Sequence, residues 1–250
     1  MTDQKIAIVT AAGKGIGAAA ARELHARGWR LSLMSPSTSS IELAKELGGI
    51  GFAGSVTSQA DVDALVDATM AEYGRVDGVI NNTGWEDWSA ERNSGGIDFN
   101  WDVDGHLLDI PDSGLYEGFE LMFMNVVRMA RAVTGHMRES GGGAILNIST
   151  PVALEPTQDY PISSMFRAMM SSFTKLHSDA FARDNIRMNT ILVGYVNNFE
   201  FLPECYRSIP MGRGVDCEEM ACSLAAFLSD DARYVSGENI AVDGGLKRGL

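Results

Sequence analysis

The chain is short of several things, and each shortage excludes something. It has three cysteines, Cys205, Cys217 and Cys222, with no Cys-x-x-Cys spacing and an odd thiol left over. That excludes a disulfide framework and points to a reduced, cytoplasmic protein. No apolar run approaches the roughly 20 residues of a membrane span, and Met1 to Val9 is too short and too polar for a signal sequence. Basic residues are scarce: 20 against 33 acids leave a formal charge of −13. Nucleic acid and anionic membrane both demand a basic surface, so neither is expected as a partner. The acids are spread along the chain rather than gathered in a tail. No internal repeat, low-complexity tract or linker divides the 250 residues, so residues 1–250 are read as one domain with a substantial core.

What is there is an alternation of β-rich apolar runs and helical patterns. Lys5–Thr10, Arg30–Met34, Gly51–Ala53, Val76–Asn81, Ala144–Ile148, Arg187–Leu192 and Ile240–Val242 read as strands. Ile16–Arg27, Ile41–Leu47, Gln59–Tyr73, about Ile162–Arg183 and Glu218–Leu228 read as helices. A further helix follows from Phe119, Met122, Phe123, Val126, Ala130, Val133 and Met137, which recur at helical spacing. Gly141-Gly142-Gly143 ends it. Strands alternating with helices imply an α/β fold, a doubly wound parallel sheet of Rossmann type covered on both faces.

Trp85–Asp112 breaks the rhythm. It holds three of the four tryptophans, eight carboxylates and a Gly95-Gly96 break, without clear periodicity. An insertion of this length is uncommon inside a compact domain and is usually functional or disordered. It follows the strand that ends in Asn81-Asn82-Thr83-Gly84, and ligands of open α/β sheets sit at the carboxyl ends of strands. Residues 85–112 are therefore expected to form a lid over the site. Asp98-x-Asn100-x-Asp102-x-Asp104-Gly105 faintly resembles a calcium loop. With Asn100 first, position 12 is Pro111; with Asp98 first, the glycine is missing. No metal is expected, and an acidic solvated loop anchored by its tryptophans is the plainer reading. Carboxylates and indoles together could also cage a cationic or sugar-like ligand.

Thr10-Ala11-Ala12-Gly13-Lys14-Gly15-Ile16-Gly17 lies between the first strand and the first helix. Glycines there let the backbone approach a pyrophosphate, to which the helix N-terminus offers free N–H groups and a positive dipole end. Taken alone, the trio could equally be a steric turn. Further along stand Asn81-Asn82-Thr83-Gly84, Asn125, Gly143-Ala-Ile-Leu-Asn147-Ile-Ser149-Thr150, Asn185-Ile-Arg-Met-Asn189, Pro210-Met-Gly-Arg213 and Val242-Asp-Gly-Gly245. In this order the segments resemble the short-chain dehydrogenase/reductase family over nearly the whole chain. The first is similar to its Thr-Gly-x-x-x-Gly-x-Gly turn with Ala11 for the first glycine, and the second to its Asn-Asn-Ala-Gly motif.

The resemblance implies that a dinucleotide is held by Ala11, Gly13, Lys14, Gly15, Ile16, Gly17, Ser35, Ser55, Val56, Asn82, Thr83, Gly84, Arg167, Gly194 and Val196. NAD-binding relatives carry an acid where this chain has Ser35, at the end of the second strand. Lys14 stands where NADP-preferring relatives place a basic residue, and its ammonium could meet a 2′-phosphate or simply lie in solvent. NADP(H) is expected over NAD(H), although Ser55 replaces a common adenine-side aspartate. Hydride transfer to or from a carbonyl or secondary alcohol of a small-molecule substrate is the implied reaction, in a homo-oligomer, dimer or tetramer.

The chemical half of that resemblance departs from the pattern. Relatives use an asparagine, a serine, a tyrosine and a lysine, because charge building on the substrate oxygen needs a donor of suitable pKa. Position by position these become Asn125, Thr150, Ser163 and Arg167, the last two one helical turn apart. Thr150 keeps a hydroxyl. Ser163 lacks the phenol's reach and its pKa near 10, and Arg167 stays protonated and cannot shuttle protons. Tyr160, ahead of Pro161 at a helix start, is a substitute acid unless it only packs against the lid. Tyr195 and His106 are further candidates. A non-redox lyase or isomerase and a nucleotide-binding regulatory protein remain as alternatives.

Overall fold

The computed structural model describes residues 4–83, 106–198 and 203–249. Seven strands form one parallel sheet: β1 (Ile6–Thr10), β2 (Arg30–Ser35), β3 (Ile50–Ala53), β4 (Gly78–Asn81), β5 (Gly143–Ser149), β6 (Ile186–Val193) and β7 (Asn239–Val242). Their order is β3-β2-β1-β4-β5-β6-β7, so the direction of winding reverses between β1 and β4. The expected doubly wound sheet is present, with strand limits shifted by one or two residues.

Period-two alternation divides the core. Ala7, Val9, Ile80, Leu146 and Ile148 face helices α1 (Gly15–Ala26), α2 (Ser39–Leu47) and α9 (Cys217–Leu228). Ile8, Val79 and Ile145 face α3 (Gln59–Tyr73) and α6 (Asn125–Glu139). Side chains on successive strand residues point to opposite faces, which explains why a sheet buried on both sides reads as continuous apolar runs. Each fully buried Leu or Ile contributes about 1.5–3 kcal/mol. The alanine-rich α1 has strong helix propensity, and its small side chains pack closely on α9.

Ends are set by local chemistry. Ser58 caps α3, its hydroxyl accepting from Asp61 N, and Gly74 at φ 72° closes it. Asp216 and Glu219 form a reciprocal capping box on α9. Pro161 opens α7 (Pro161–Phe181), where its missing N–H is no loss.

Two sequence expectations are corrected. The stretch read as one helix around Phe119–Met137 is α5 (Asp112–Phe119), a π turn (Glu120–Met124) and α6. The end of the 85–112 segment, read as lacking periodicity, is partly helical: His106–Asp109 is a helical turn, α4, and Asp112 begins α5. Residues 84–105, with Gly84, the three tryptophans and the calcium-like pattern, lie outside the described residues, as does the His106 side chain. A short helix α8 (Pro203–Arg207) was not read from the sequence.

A buried polar ladder ties the central elements. Asn81 Nδ2 donates to Asn147 Oδ1 at 2.8 Å, Asn147 Nδ2 donates to Thr174 Oγ1 at 3.0 Å, and Thr174 and Thr190 share a hydroxyl hydrogen bond at 2.8 Å. It links β4, β5, α7 and β6. Their carboxyl ends or first turn carry the candidate residues described next.

Candidate active site

The β1–α1 turn is built on close approach. Thr10 Oγ1 accepts from Asn82 N at 3.1 Å and donates to Asn82 O at 3.2 Å, while Asn82 Nδ2 donates to Ala11 O at 3.4 Å. These bonds clip the ends of β1 and β4 together. A Cβ on Gly17 would lie 2.3 Å from Ala11 O, so only glycine lets α1 come this near. Ala11 has φ 47°, a left-handed conformation that costs an L-residue roughly 1–2 kcal/mol. It stands where the resembled family has glycine.

The turn opens on a cavity of about 550 Å³ along the carboxyl ends of the strands, lined by Gly13, Lys14, Gly15 and Ile16. Ala11, Ser35, Ser55 and Val56 line it, as do Asn82, Thr83, Gly194 and Val196. The structure therefore brings together every expected dinucleotide residue except two. Gly17 is a packing position behind the turn, and Gly84 lies outside the described residues. The end of β2 carries hydroxyls rather than a carboxylate. Ser35 Oγ donates to Ser37 O at 3.0 Å, and the Ser37 and Ser39 hydroxyls are 2.7 Å apart. Ser37, Ser39 and Asn198 also line the cavity and were missed by sequence reasoning. The serine run at the start of α2 was a usable signal; nothing near Asn198 was.

At the other end stand Thr150, Tyr160, Ser163 and Arg167. Ser163 and Arg167, each 2% exposed, sit one turn apart on α7. Arg167 Nε donates to Ser163 Oγ at 3.1 Å, Nη1 to Ile148 O at 2.7 Å and Nη2 to Thr83 O at 3.5 Å. Burial lowers its pKa to about 10, so the guanidinium is charged at neutral pH. The Thr150 Oγ1 and Ser149 Oγ atoms are buried and have no hydrogen-bond partner among the described residues. Ser149 is a further lining residue that sequence reasoning passed over.

Asn125 is placed differently. It is buried behind the wall, its Nδ2 donating to Thr83 Oγ1 at 2.5 Å and its Oδ1 accepting from Val126 N at 2.6 Å. It does not line the cavity, and its contacts position Thr83. The reason is the π turn: Asn125 N donates to Glu120 O, five residues back, and Leu121 O accepts from Thr83 Oγ1 at 3.2 Å. Tyr160 lines the cavity from the N-cap of α7, and burial is the main cause holding its phenol above the usual pKa. Tyr195 also lines it. Burial, with Tyr160 next, raises the Tyr195 phenol strongly, and it is hydrogen-bonded to Cys205.

A parallel sheet whose first glycine turn and strand ends share one elongated cavity defines a Rossmann-type nucleotide-binding protein. The comparisons narrow that class. Residues 10–247 match the family model described as enoyl-(acyl carrier protein) reductase; the chain belongs to this family of short-chain dehydrogenases and reductases, and is an enzyme of the oxidoreductase class. It is 28% identical over 254 residues to cis-4-hydroxycyclohexanecarboxylate dehydrogenase of Sinomonas cyclohexanicum, covering 97% of this chain and 96% of that protein. L-sorbose reductase of Gluconobacter frateurii, solved with NADPH and L-sorbose, superposes with a TM-score of 0.83 at 25% identity, over 99% of this chain and 98% of that one. A 3-ketoacyl-(acyl-carrier-protein) reductase of Brucella melitensis, solved with NADH, gives 0.83 at 24% identity over 98% of both chains; at that identity the likeness is one of fold.

Proposed function

We propose that the protein is an NADP(H)-dependent oxidoreductase acting on a carbonyl or secondary alcohol of a small molecule, with two hydroxyls and a guanidinium where the resembled family uses a serine, a tyrosine and a lysine. The observation that carries this reading is the single cavity that reaches from the Gly13–Gly15 turn to Thr150, Ser163 and Arg167.

The residues fit a dinucleotide. Gly15 is left-handed, at φ 55°, and opens α1, where the first N–H groups of a helix have no intrahelical partner and can meet an anion. Gly13, Gly15 and Asn82 would hold the phosphates and the sheet-side edge, and Lys14 with the serines after β2 would favour a 2′-phosphate over a bare ribose. When bound, the reduced nicotinamide would supply two electrons and one hydrogen to a carbonyl carbon.

The chain's own part is to hold the substrate oxygen and furnish its proton. Ser163 Oγ accepts from Arg167 Nε, so its own proton remains to be donated elsewhere, and Thr150 Oγ1 has no partner among the described residues. Two such hydroxyls can polarise one oxygen. The nearby charge of Arg167 stabilises the negative charge that develops there, in a site where water screens it poorly. Tyr160 is the second candidate donor, because it lines the same cavity and burial keeps its phenol protonated.

Thermal shift with NADPH, NADP⁺, NADH and NAD⁺ tests the cofactor, with Lys14→Ala expected to weaken NADPH more than NADH. No shift with any dinucleotide would sink the proposal. Oxidation of NADPH across a carbonyl panel then separates a redox enzyme from a binding protein or lyase. Ser163→Ala and Tyr160→Phe assign the donor: loss of a positioned acid lowers kcat by about 10²–10⁴. Ser163→Tyr with Arg167→Lys, the family pair, should raise reductase activity.

A further inference from the structure

The protein carries 33 acids against 20 basic residues, yet no Asp or Glu is among the described residues that line the cavity, while Lys14 and Arg167 are. Arg167 is the sharper case. It is 2% exposed, and its described partners are a serine hydroxyl and two main-chain carbonyls, all neutral. None of the ion pairs found among the described residues includes it, and its pKa is lowered by burial without any opposing carboxylate. A guanidinium has five N–H donors. Among the described residues three are engaged, one of them only at 3.5 Å, which leaves two without a described partner on a group that lines the cavity. On the same cavity lie Thr150 and Ser149, whose hydroxyl oxygens are buried with no partner among the described residues, and Ser163, whose oxygen accepts from Arg167 Nε.

A buried charge without a counter-ion is costly, and buried hydroxyls without partners are costly too. Ribose or substrate hydroxyls could satisfy the N–H groups, but only an anion neutralises the charge. The fork of a guanidinium matches a carboxylate in particular, which it can grip with two parallel bonds. The small polar groups around it suit a compact ligand.

We propose that Arg167 is a receptor for a carboxylate on the substrate, with Ser163 and Thr150 meeting a second oxygen of the same molecule, so that the substrate class is the small oxo acids and their hydroxy-acid counterparts. This rests on the reading of the cavity as an oxidoreductase site and names what that site takes.

The experiment compares binding of matched acids and neutral isosteres to the protein with and without saturating NADPH. The probes are 2-oxobutyrate and 3-oxobutyrate against their methyl esters and amides, followed by calorimetry, with NADPH affinity measured in parallel by its fluorescence. A charge-assisted pair should favour the acids by about 10- to 100-fold. Arg167→Met should abolish that preference, and Arg167→Lys should retain part of it, both with NADPH affinity preserved. Equal affinity for acids and esters overturns the proposal while NADPH binding leaves the oxidoreductase reading standing. Loss of NADPH affinity in Arg167→Met, with its fold intact by circular dichroism, also overturns it, because Arg167 would then serve the dinucleotide. Absence of NADPH binding to the unaltered protein defeats the underlying reading instead. If the Met variant fails to fold, the acid–ester comparison and the Lys variant still decide.

Discussion

Thr174→Val would remove one hydroxyl from the ladder that fixes α7, and hence Ser163 and Arg167, against the sheet. Thr174 and Thr190 are fully buried, as is Asn147. Valine has nearly the shape of threonine, so no cavity opens and the loss is polar. The change strands Asn147 Nδ2, which donates to Thr174 Oγ1 at 3.0 Å, and Thr190 Oγ1, which lies 2.8 Å from the same atom. Each stranded group costs about 1–3 kcal/mol, so a loss of roughly 2–6 kcal/mol is expected. At about 2–4 °C per kcal/mol for a chain of this size, Tm should fall by roughly 4–24 °C. Thr190→Val alone strands less, since Thr174 still accepts from Asn147, and about 1 kcal/mol is expected. The double variant leaves only the Asn147 amide unpaired. It should therefore be no less stable than Thr174→Val alone, giving a coupling of at least about 1 kcal/mol in the double-mutant cycle. Urea unfolding of the four proteins measures all of this. Strict additivity, or a Thr174→Val loss below about 0.5 kcal/mol, would refute the ladder as a set of mutually satisfied groups.

Two further predictions concern single sites. Ala11→Gly relieves a left-handed alanine at φ 47°, gaining about 1–2 kcal/mol less about 0.4–1 kcal/mol for the freer unfolded chain. Tm should hold or rise by a few degrees, and a clear fall would mean that the Cβ packs usefully. His177 is buried beside Phe181, with Nε2 3.0 Å from Thr134 Oγ1, and burial lowers its pKa to about 4. Between about pH 6.5 and 4 the unfolded chain binds a proton that the folded chain does not, so stability falls as pH falls through that window and is unaffected by this group above it. His177→Phe should flatten the slope by up to about 1.4 kcal/mol per pH unit, because Thr134 keeps its bond to Ala130 O. Parallel pH–Tm curves would contradict the assignment.

Much of this was legible in the chain because it rests on short-range patterns. Apolar runs between glycine turns gave the strands, and the family-like spacing brought Thr150, Ser163 and Arg167 into one cavity. Helix α5 was not legible, since Gly114 and Gly118 lower its propensity. It forms because Gly118 lets it approach α7 so closely that a Cβ would lie 2.3 Å from Ile162 Cγ2, which is a tertiary contact without a local sign. The inward retreat of Asn125 was hidden for a related reason: residues on both sides of the π turn keep an α-helical apolar rhythm. Nor does composition reveal that a strongly acidic chain lines its cavity without a described acid, because a net charge says nothing about where charges sit.

The π turn makes one stretch of the cavity wall depend on chain length rather than on side-chain identity. Asn125 N reaches past Leu121 O to Glu120 O, and that spared carbonyl is the acceptor for Thr83, whose own carbonyl receives Arg167. Deleting one residue between Glu120 and Met124 would let the helix close its ordinary four-residue register and draw Leu121 O back into its own ladder. Thr83 would then lose its anchor and Arg167 the firmness of one of its three supports. A substitution at Leu121 leaves that main-chain oxygen where it is, so at this point an insertion or deletion is a finer instrument on the site than any exchange of side chains.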